Sequence, residues 1–406
     1  MSVCLLFLVA GQVSGGGLDI TKPRRLCRSL RSMARVYIAF GKYDKARLFA
    51  EQALGMAQTR AVSAEELYLC FVDLAYVYEK QGSLLDAERF CKQGLALQRK
   101  LYYPRHPYIA YTLRTLASIY QSQGRYRQAQ AVMQEALEII RQYHPTDDQG
   151  IAPFQVEMAA ILAEQGKFSD ANALYERALR SINNSYGPEH LYTAAVLTKV
   201  ARLRLLEGHY DDAEALAEQA LAIEQRHYGR RHSRLVSGWL ILAKVFCTRG
   251  WYDGAEELLQ QAVGVLESDS AQQPVMLAKV LAALGEVYLA KGRYEQAQAY
   301  CRRAVDELQQ RLGPDHCLTA EALHELARVY MYQGRYAQAG ELCRQAIATL
   351  EQTFGPEHPA VQAVLATQAE VLEREAATLT VAKSQDVLEQ VFSGLRALSD
   401  MFAAVR

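Results

Sequence analysis

Nine histidines and eight cysteines are the residues of this 406-residue chain best suited to bind a metal, carry a proton or act as nucleophiles. Their spacing argues for none of these. Zinc sites use ligands paired a few residues apart, as in Cys-x-x-Cys, and the chain has no such pair. His227 and His232 stand five apart, off the i, i+4 face of a helix, and no cysteine or acid completes a site. His106, His190, His232, His316 and His358 instead fall at steps of 42 residues or twice that, as residues placed by a repeating structure would. They are expected to be turn and cap residues ahead of helices. Asp211-Asp212 and Glu256-Glu257 are candidate acid–base pairs, but each opens a helical stretch, where the positive end of the helix dipole favours carboxylates. Gly15-Gly16-Gly17 lacks the lysine of a phosphate-binding loop, and no dinucleotide fingerprint, nucleophile elbow or His-Glu-x-x-His is present. Asn183 and Ser185 match a glycosylation acceptor, a pattern frequent by chance. The residues therefore predict no enzyme, with no catalytic, cofactor or metal site.

The 42-residue step belongs to a recurring phrase. "GKYDKA" begins at Gly41, "GSLLDA" at Gly82 and "GRYRQA" at Gly124. "GKFSDA" follows at Gly166, "GHYDDA" at Gly208, "GWYDGA" at Gly250, "GRYEQA" at Gly292 and "GRYAQA" at Gly334. The first interval is 41 residues and every later one is 42. Periods of this size mark stacked supersecondary units. In the unit around Gly124, Ile109, Leu113, Leu116, Ala117 and Tyr120 share a helical stripe. Pro107 suits the first turn and Gly124 the end. Ala129, Val132, Met133, Ala136, Leu137 and Ile140 form a second stripe. Each unit thus reads as helix, tight turn, helix, and no strand is expected.

Three slots are small in every unit. Five after the glycine stand Ala46, Ala87, Ala129, Ala171, Ala213, Ala255, Ala297 and Ala339. Twelve after, the slot holds alanine from Ala53 to Ala346, with Gly94 in the second unit. Seven before, it holds alanine from Ala34 to Ala327, with Gly285 in the seventh. Such slots are expected where helices press close, since a longer side chain would overpack the contact. Cys91, Cys301 and Cys343, nine after a glycine, are expected to be packing residues of the same kind. Two after the glycine an aromatic recurs, Leu84 being the exception, and it is expected to plug the wedge between paired helices.

The small-x-x-Tyr late in the first helix, the turn glycine and the alanine early in the second resemble the tetratricopeptide repeat (TPR), as in "TLASIYQSQG" and "ELARVYMYQG". Linkers such as "YGPEHL" (186–191), "LGPDHC" (312–317) and "FGPEHP" (354–359), with the 42-residue unit, resemble the kinesin-light-chain type. The resemblance covers about residues 23–378. It implies an all-α, right-handed superhelical solenoid of eight helix-turn-helix repeats with terminal capping helices. First helices would line the concave face, a groove that in kinesin light chains takes extended cargo peptides. Asparagines nine before the glycine help hold such peptides in that family. Here the slot carries Ser32, Asp73, Thr115, Glu157, Lys199, Ile241, Ala283 and Glu325. The heptad coiled coil of the motor subunits is also absent from residues 1–22. Stand-alone arrays of this kind are common in bacteria.

If first helices face inward, Tyr111, Arg114, Lys199, Arg202, Lys244 and Lys279 line the groove, with Arg31 and Arg35 as earlier counterparts and Glu286, Glu321 and Glu325 in later slots. Two readings stand: a basic middle that holds an acidic partner segment, and a solvated face of mixed charge. The 45 basic and 45 acidic residues balance, which gives no support to nucleic-acid binding. The expected function is a non-catalytic scaffold or adaptor that binds a protein or peptide. The alternative is a ligand-responsive regulatory or sensor component of a bacterial signalling or secretion system.

The ends depart from the period. Val3 to Ala10 is apolar and too short to span a bilayer. Residues 1–22 read as a degenerate cap, a mis-called start or an export signal, so the localisation expected is cytoplasmic, with export as the alternative. Ordinary cysteine usage fits a reducing compartment. "HPAVQAVLATQAEVLERE" (358–375) resembles a ninth first helix with Ala369 in the small slot, and no turn glycine follows. In 379–406, Val387, Leu388, Val391, Leu395 and Leu398 share a face, as a capping helix or a docking helix for a partner or for self-association would.

Overall fold

The computed structural model describes residues 23–39, 42–58, 62–144, 148–268 and 273–378. Every regular element among them is helical. The helices come in pairs: α1 (Pro23–Ala39) with α2 (Tyr43–Ala57), α3 (Ala64–Gln81) with α4 (Leu84–Leu101), and α5 (Pro107–Ser122) with α6 (Tyr126–Tyr143). Then come α7 (Asp148–Glu164) with α8 (Phe168–Tyr186), α9 (Leu191–Leu206) with α10 (Tyr210–Tyr228), and α11 (Val236–Thr248) with α12 (Tyr252–Ser268). The last pairs are α13 (Pro274–Ala290) with α14 (Tyr294–Leu312) and α15 (Cys317–Tyr332) with α16 (Tyr336–Phe354). A further helix, α17, covers residues 359–378. The apolar N-terminal run and the amphipathic segment from Val387 to Leu398 lie outside the described residues. Each first helix packs on its own second helix and touches the next first helix, so the chain is an all-α repeat solenoid.

The turn follows from its glycine. From Gly82 to Gly334 the repeat glycines have φ between 72° and 81°, a region in which a Cβ is strained. That conformation sends the next N–H back to the carbonyl four residues before the glycine: Arg125 to Tyr120 at 2.8 Å, His209 to Arg204 at 2.8 Å and Arg335 to Tyr330 at 2.9 Å. The small slots are sealed. Ala46, Ala87, Ala129, Ala171, Ala213, Ala255, Ala297 and Ala339 have no exposed surface. A methyl on Gly285 would lie 2.2 Å from Cys301 Sγ, so the seventh unit has room for hydrogen only.

Other rings share the wedge between paired helices in some units. In three of them a tyrosine four before the glycine stacks on an aromatic eight after it: Tyr37 on Phe49 at 5.3 Å, Tyr78 on Phe90 at 5.5 Å and Tyr288 on Tyr300 at 5.3 Å. The aromatic two after the glycine opens the second helix and packs to differing degrees, with Phe168, Tyr252 and Tyr336 against the core. Tyr210 and Tyr294 there stay 40% and 37% exposed.

The cap histidines act through one nitrogen. Nδ1 of His106, His190, His232, His316 and His358 accepts the backbone N–H two residues on, at 3.1–3.2 Å. Four of these rings also stack on the aromatic that ends the preceding helix: Tyr102, Tyr186, Tyr228 and Phe354.

Successive turns of the solenoid touch. His316 Nε2 meets the Ser122 carbonyl, and 42 residues further along both partners, His358 Nε2 meets the Glu164 carbonyl at 3.0 Å. Each bond joins residues 194 apart. Tyr126 stacks on Phe354 with centroids 5.2 Å apart, and its hydroxyl lies 3.9 Å from Cys317 Sγ. The starts of α15 and α17 therefore rest on the ends of α5 and α7.

Candidate binding channel

First helices supply the channel's charge. Lys199 and Arg202, one turn apart on α9, face Glu157 and Glu164 on α7 at 3.5 and 2.6 Å. Lys244 on α11 faces Glu286 on α13 at 3.7 Å. Glu325 on α15 is held by Arg328 at 2.7 Å on its own helix. Lys279 on α13 and Glu321 on α15 have no ion-pair partner within 4 Å among the described residues.

These groups sense one another across the interior. Arg202 keeps 52% of its side-chain surface open and is set among other charged side chains. The Glu164 carboxylate raises its pKa first, and Glu321 adds to this. Glu286 raises Lys244 in the same way, with Glu325 and Glu321 contributing. Burial, and after it the Arg202 charge, pulls the Lys279 ammonium below the usual lysine range. Burial raises Glu321. Burial first and the Glu286 charge second push Glu325 up to about 7. Four of the residues singled out in the sequence (Lys199, Arg202, Lys244 and Lys279) thus belong to one charged interior built from α7, α9, α11, α13 and α15.

Tyr111 and Arg114 on α5 form a neighbouring group. The Arg114 guanidinium lies 5.7 Å from the Tyr111 ring centroid and 5.3 Å from that of Phe154 on α7. Its charge also acts on Tyr192 of α9, whose hydroxyl burial pushes up to about 12. Arg31 and Arg35 lie apart from both groups, bound to Asp73 at 2.7 and 3.0 Å, with Arg31 also on Glu66 at 2.9 Å.

The basic middle read from the sequence is thus largely neutralised. Glu164 was the missing residue, and its signal is its spacing: seven after Glu157, on the same helical face. The slot that carries asparagine in kinesin light chains is charged in four of the eight units here, and those residues are paired: Asp73 with Arg31, Glu157 with Lys199, and Glu325 with Arg328. Among the described residues no group of three histidine, cysteine or acidic side chains could hold a metal, and no helix is long and apolar enough to cross a membrane.

With pairs, turns and channel in place, the sequence matches the family Tetratricopeptide repeat over residues 67–142, 151–226 and 276–330, and a second family of the same description over residues 319–360. The chain belongs to the tetratricopeptide repeat family, whose members are generally non-catalytic interaction modules. Similar solved structures include a Rap protein complexed with competence and sporulation factor: 17% identity, 87% of this chain, 92% of that chain, TM-score 0.65. The apo form of the quorum sensor NprR from B. thuringiensis is 15% identical over 84% of this chain and 91% of that one, with TM-score 0.57. A putative kinesin light chain of nearly identical TPR-like repeats from Podosopora anserina is 24% identical over 51% of this chain and 99% of that one, with TM-score 0.41. No curated protein matches the sequence.

Proposed function

We propose that this chain is a scaffold or adaptor whose concave channel holds a peptide or helix of a partner protein. The observation that carries the reading is Lys279: an ammonium among the charges of α9 and α15, with no ion-pair partner within 4 Å among the described residues, held below its usual pKa by burial and by Arg202. A carboxylate on a partner would relieve that cost. Glu321 offers the converse place for a base. Lys199, Arg202 and Lys244 would exchange their resident carboxylates for the partner's, so they would set register more than affinity. The partner class that fits is an acidic segment with an interspersed base. Tyr111 and Arg114 extend the surface with a ring and a cation.

Fluorescence anisotropy with labelled peptides of acidic, basic and neutral composition tests this. An acidic peptide should bind the native chain with an affinity that falls as salt rises. Lys279→Glu together with Lys244→Glu should weaken it at least tenfold and flatten the salt dependence. Equal binding by native chain and variant would discard the reading.

The touching turns favour a second reading, a ligand-responsive regulator. An occupant that widened the channel would have to part Tyr126 from Phe354 and His358 from Glu164. The relative solved with a competence and sporulation factor shares this fold and is compatible with either reading. Small-angle scattering separates them: the regulator changes dimensions on ligand addition, and the scaffold keeps them.

A further inference from the structure

The channel leaves one pair of reactive groups unexplained. Sγ of Cys27 on α1 and Sγ of Cys70 on α3 lie 3.7 Å apart, in van der Waals contact, and both side chains are fully buried. Other thiols of the array meet different atoms: Cys91 Sγ points to the Thr112 carbonyl at 3.6 Å, and Cys317 Sγ to the Tyr126 hydroxyl. A disulfide needs sulfurs about 2.0 Å apart, a closure that side-chain rotation and a small approach of two helices can supply. The pair sits beneath the Arg31–Glu66–Asp73 network, which already ties α1 to α3.

We propose that Cys27 and Cys70 are a redox-closable pair, a modification site that joins the first helices of the first two units by one reversible disulfide. The reaction is exchange with a small-molecule disulfide such as oxidised glutathione. The Cys27 thiolate attacks one sulfur of the oxidant, whose second sulfur leaves as a thiol. Cys70 then attacks the Cys27 sulfur and expels the other. One S–S bond forms and one breaks. The oxidant takes two electrons and the two thiol protons, leaving as two thiols. Cys27 is suited to begin: the hydrogen bond from Cys70 holds its thiol below the usual range, with Arg31 adding to this while burial and the Glu66 and Asp73 carboxylates oppose it. Access comes from the position of α1. α1 packs on α2 and α3, and local opening of helices near the end of a stacked array lets an oxidant reach the pair. This proposal is independent of what occupies the channel.

The full chain, reduced and then incubated with oxidised glutathione, tests it by intact mass and peptide mapping. The expected product is a monomer lighter by two hydrogen atoms, with the Cys27 and Cys70 peptides linked. Its melting temperature should rise by ~5 °C, reversibly on adding dithiothreitol. Cys27→Ala and Cys70→Ala, each checked for native helicity, should both abolish product and shift. Native chain that stays fully alkylatable after oxidation, or a link that runs to Cys4 instead, overturns the proposal.

Discussion

At the scale of single residues, four buried or half-buried polar groups carry testable consequences. Gln155 on α7 has no exposed surface, and neither amide atom has a hydrogen-bond partner among the described residues. An orphaned buried amide costs its desolvation without return, so Gln155→Leu should stabilise the chain by about 1–2 kcal/mol in urea denaturation. Glu224 on α10 is 8% exposed, and burial pushes its carboxyl up to about 7. An acid raised in the folded state binds extra protons there, so its ionisation removes stability as pH rises from about 4.5 to 7. Glu224→Gln should therefore match the native chain at pH 4.5 and exceed it at pH 8, by up to about 3 kcal/mol. The histidines run the other way. Burial lowers His316 and His358, and Nδ1 of each must be free of a proton to accept its cap N–H. Their depressed folded pKa contributes stability that is present above about 6.5 and lost as pH falls below it. With asparagine, a cap that does not titrate here, His316→Asn and His358→Asn should together flatten the loss between pH 7 and pH 5. Unchanged acid sensitivity in that double variant would mean the rings do not control it.

At the scale of helices, most of the design was readable because each unit repeats the same local physics. Glycine ends a helix where φ must be positive, alanine marks contact, and a histidine at a fixed step starts the next helix. What was less legible was side-chain direction. The ring two after the glycine packs on the core at Phe168, Tyr252 and Tyr336 but stays more exposed at Tyr210 and Tyr294, and in three units a tyrosine four before the glycine stacks between the helices as well. Glu164 escaped notice because it follows a long apolar run, although its spacing from Glu157 put both on one face. Two glycines make the local rule testable. Gly208 has φ +81° and open space where a Cβ would go, so Gly208→Ala should cost only backbone strain, about 1–2 kcal/mol. At Gly124, φ is +73° and the same methyl would meet Cys317 Sγ at 3.1 Å and Thr353 Cγ2 at 3.2 Å, in the next turn. Gly124→Ala should cost more than Gly208→Ala by equilibrium denaturation. Ala213→Leu with Ala220→Leu tests the small slots: both alanines lack exposed surface, and overpacking should cost about 1–3 kcal/mol each.

At the scale of the whole molecule, the contact between turns has no local signature. The superhelical pitch is the sum of small rotations between units, and each unit is written in nearly the same residues. The sequence therefore says that α5 ends near α6, but not that it ends beneath α15, 194 residues away. Only His316 and His358, in step with Ser122 and Glu164, carry a trace of that register. The contact matters because it brings helices of two turns together. It thereby gives Arg202, Lys279 and Glu321 the desolvated setting on which the binding proposal rests. Tyr126 and Tyr210 separate that contact from local stability, since both stand two after a repeat glycine. Tyr126 is 8% exposed and stacked on Phe354 of the next turn, whereas Tyr210 is 40% exposed. Tyr126→Ala should cost about 2–4 kcal/mol and enlarge the radius of gyration in scattering, as the turns part along the axis. Tyr210→Ala should change neither by a comparable amount. If the two variants scatter and melt alike, the turns do not hold each other in solution, and the channel must be treated as an open groove whose charges water can reach.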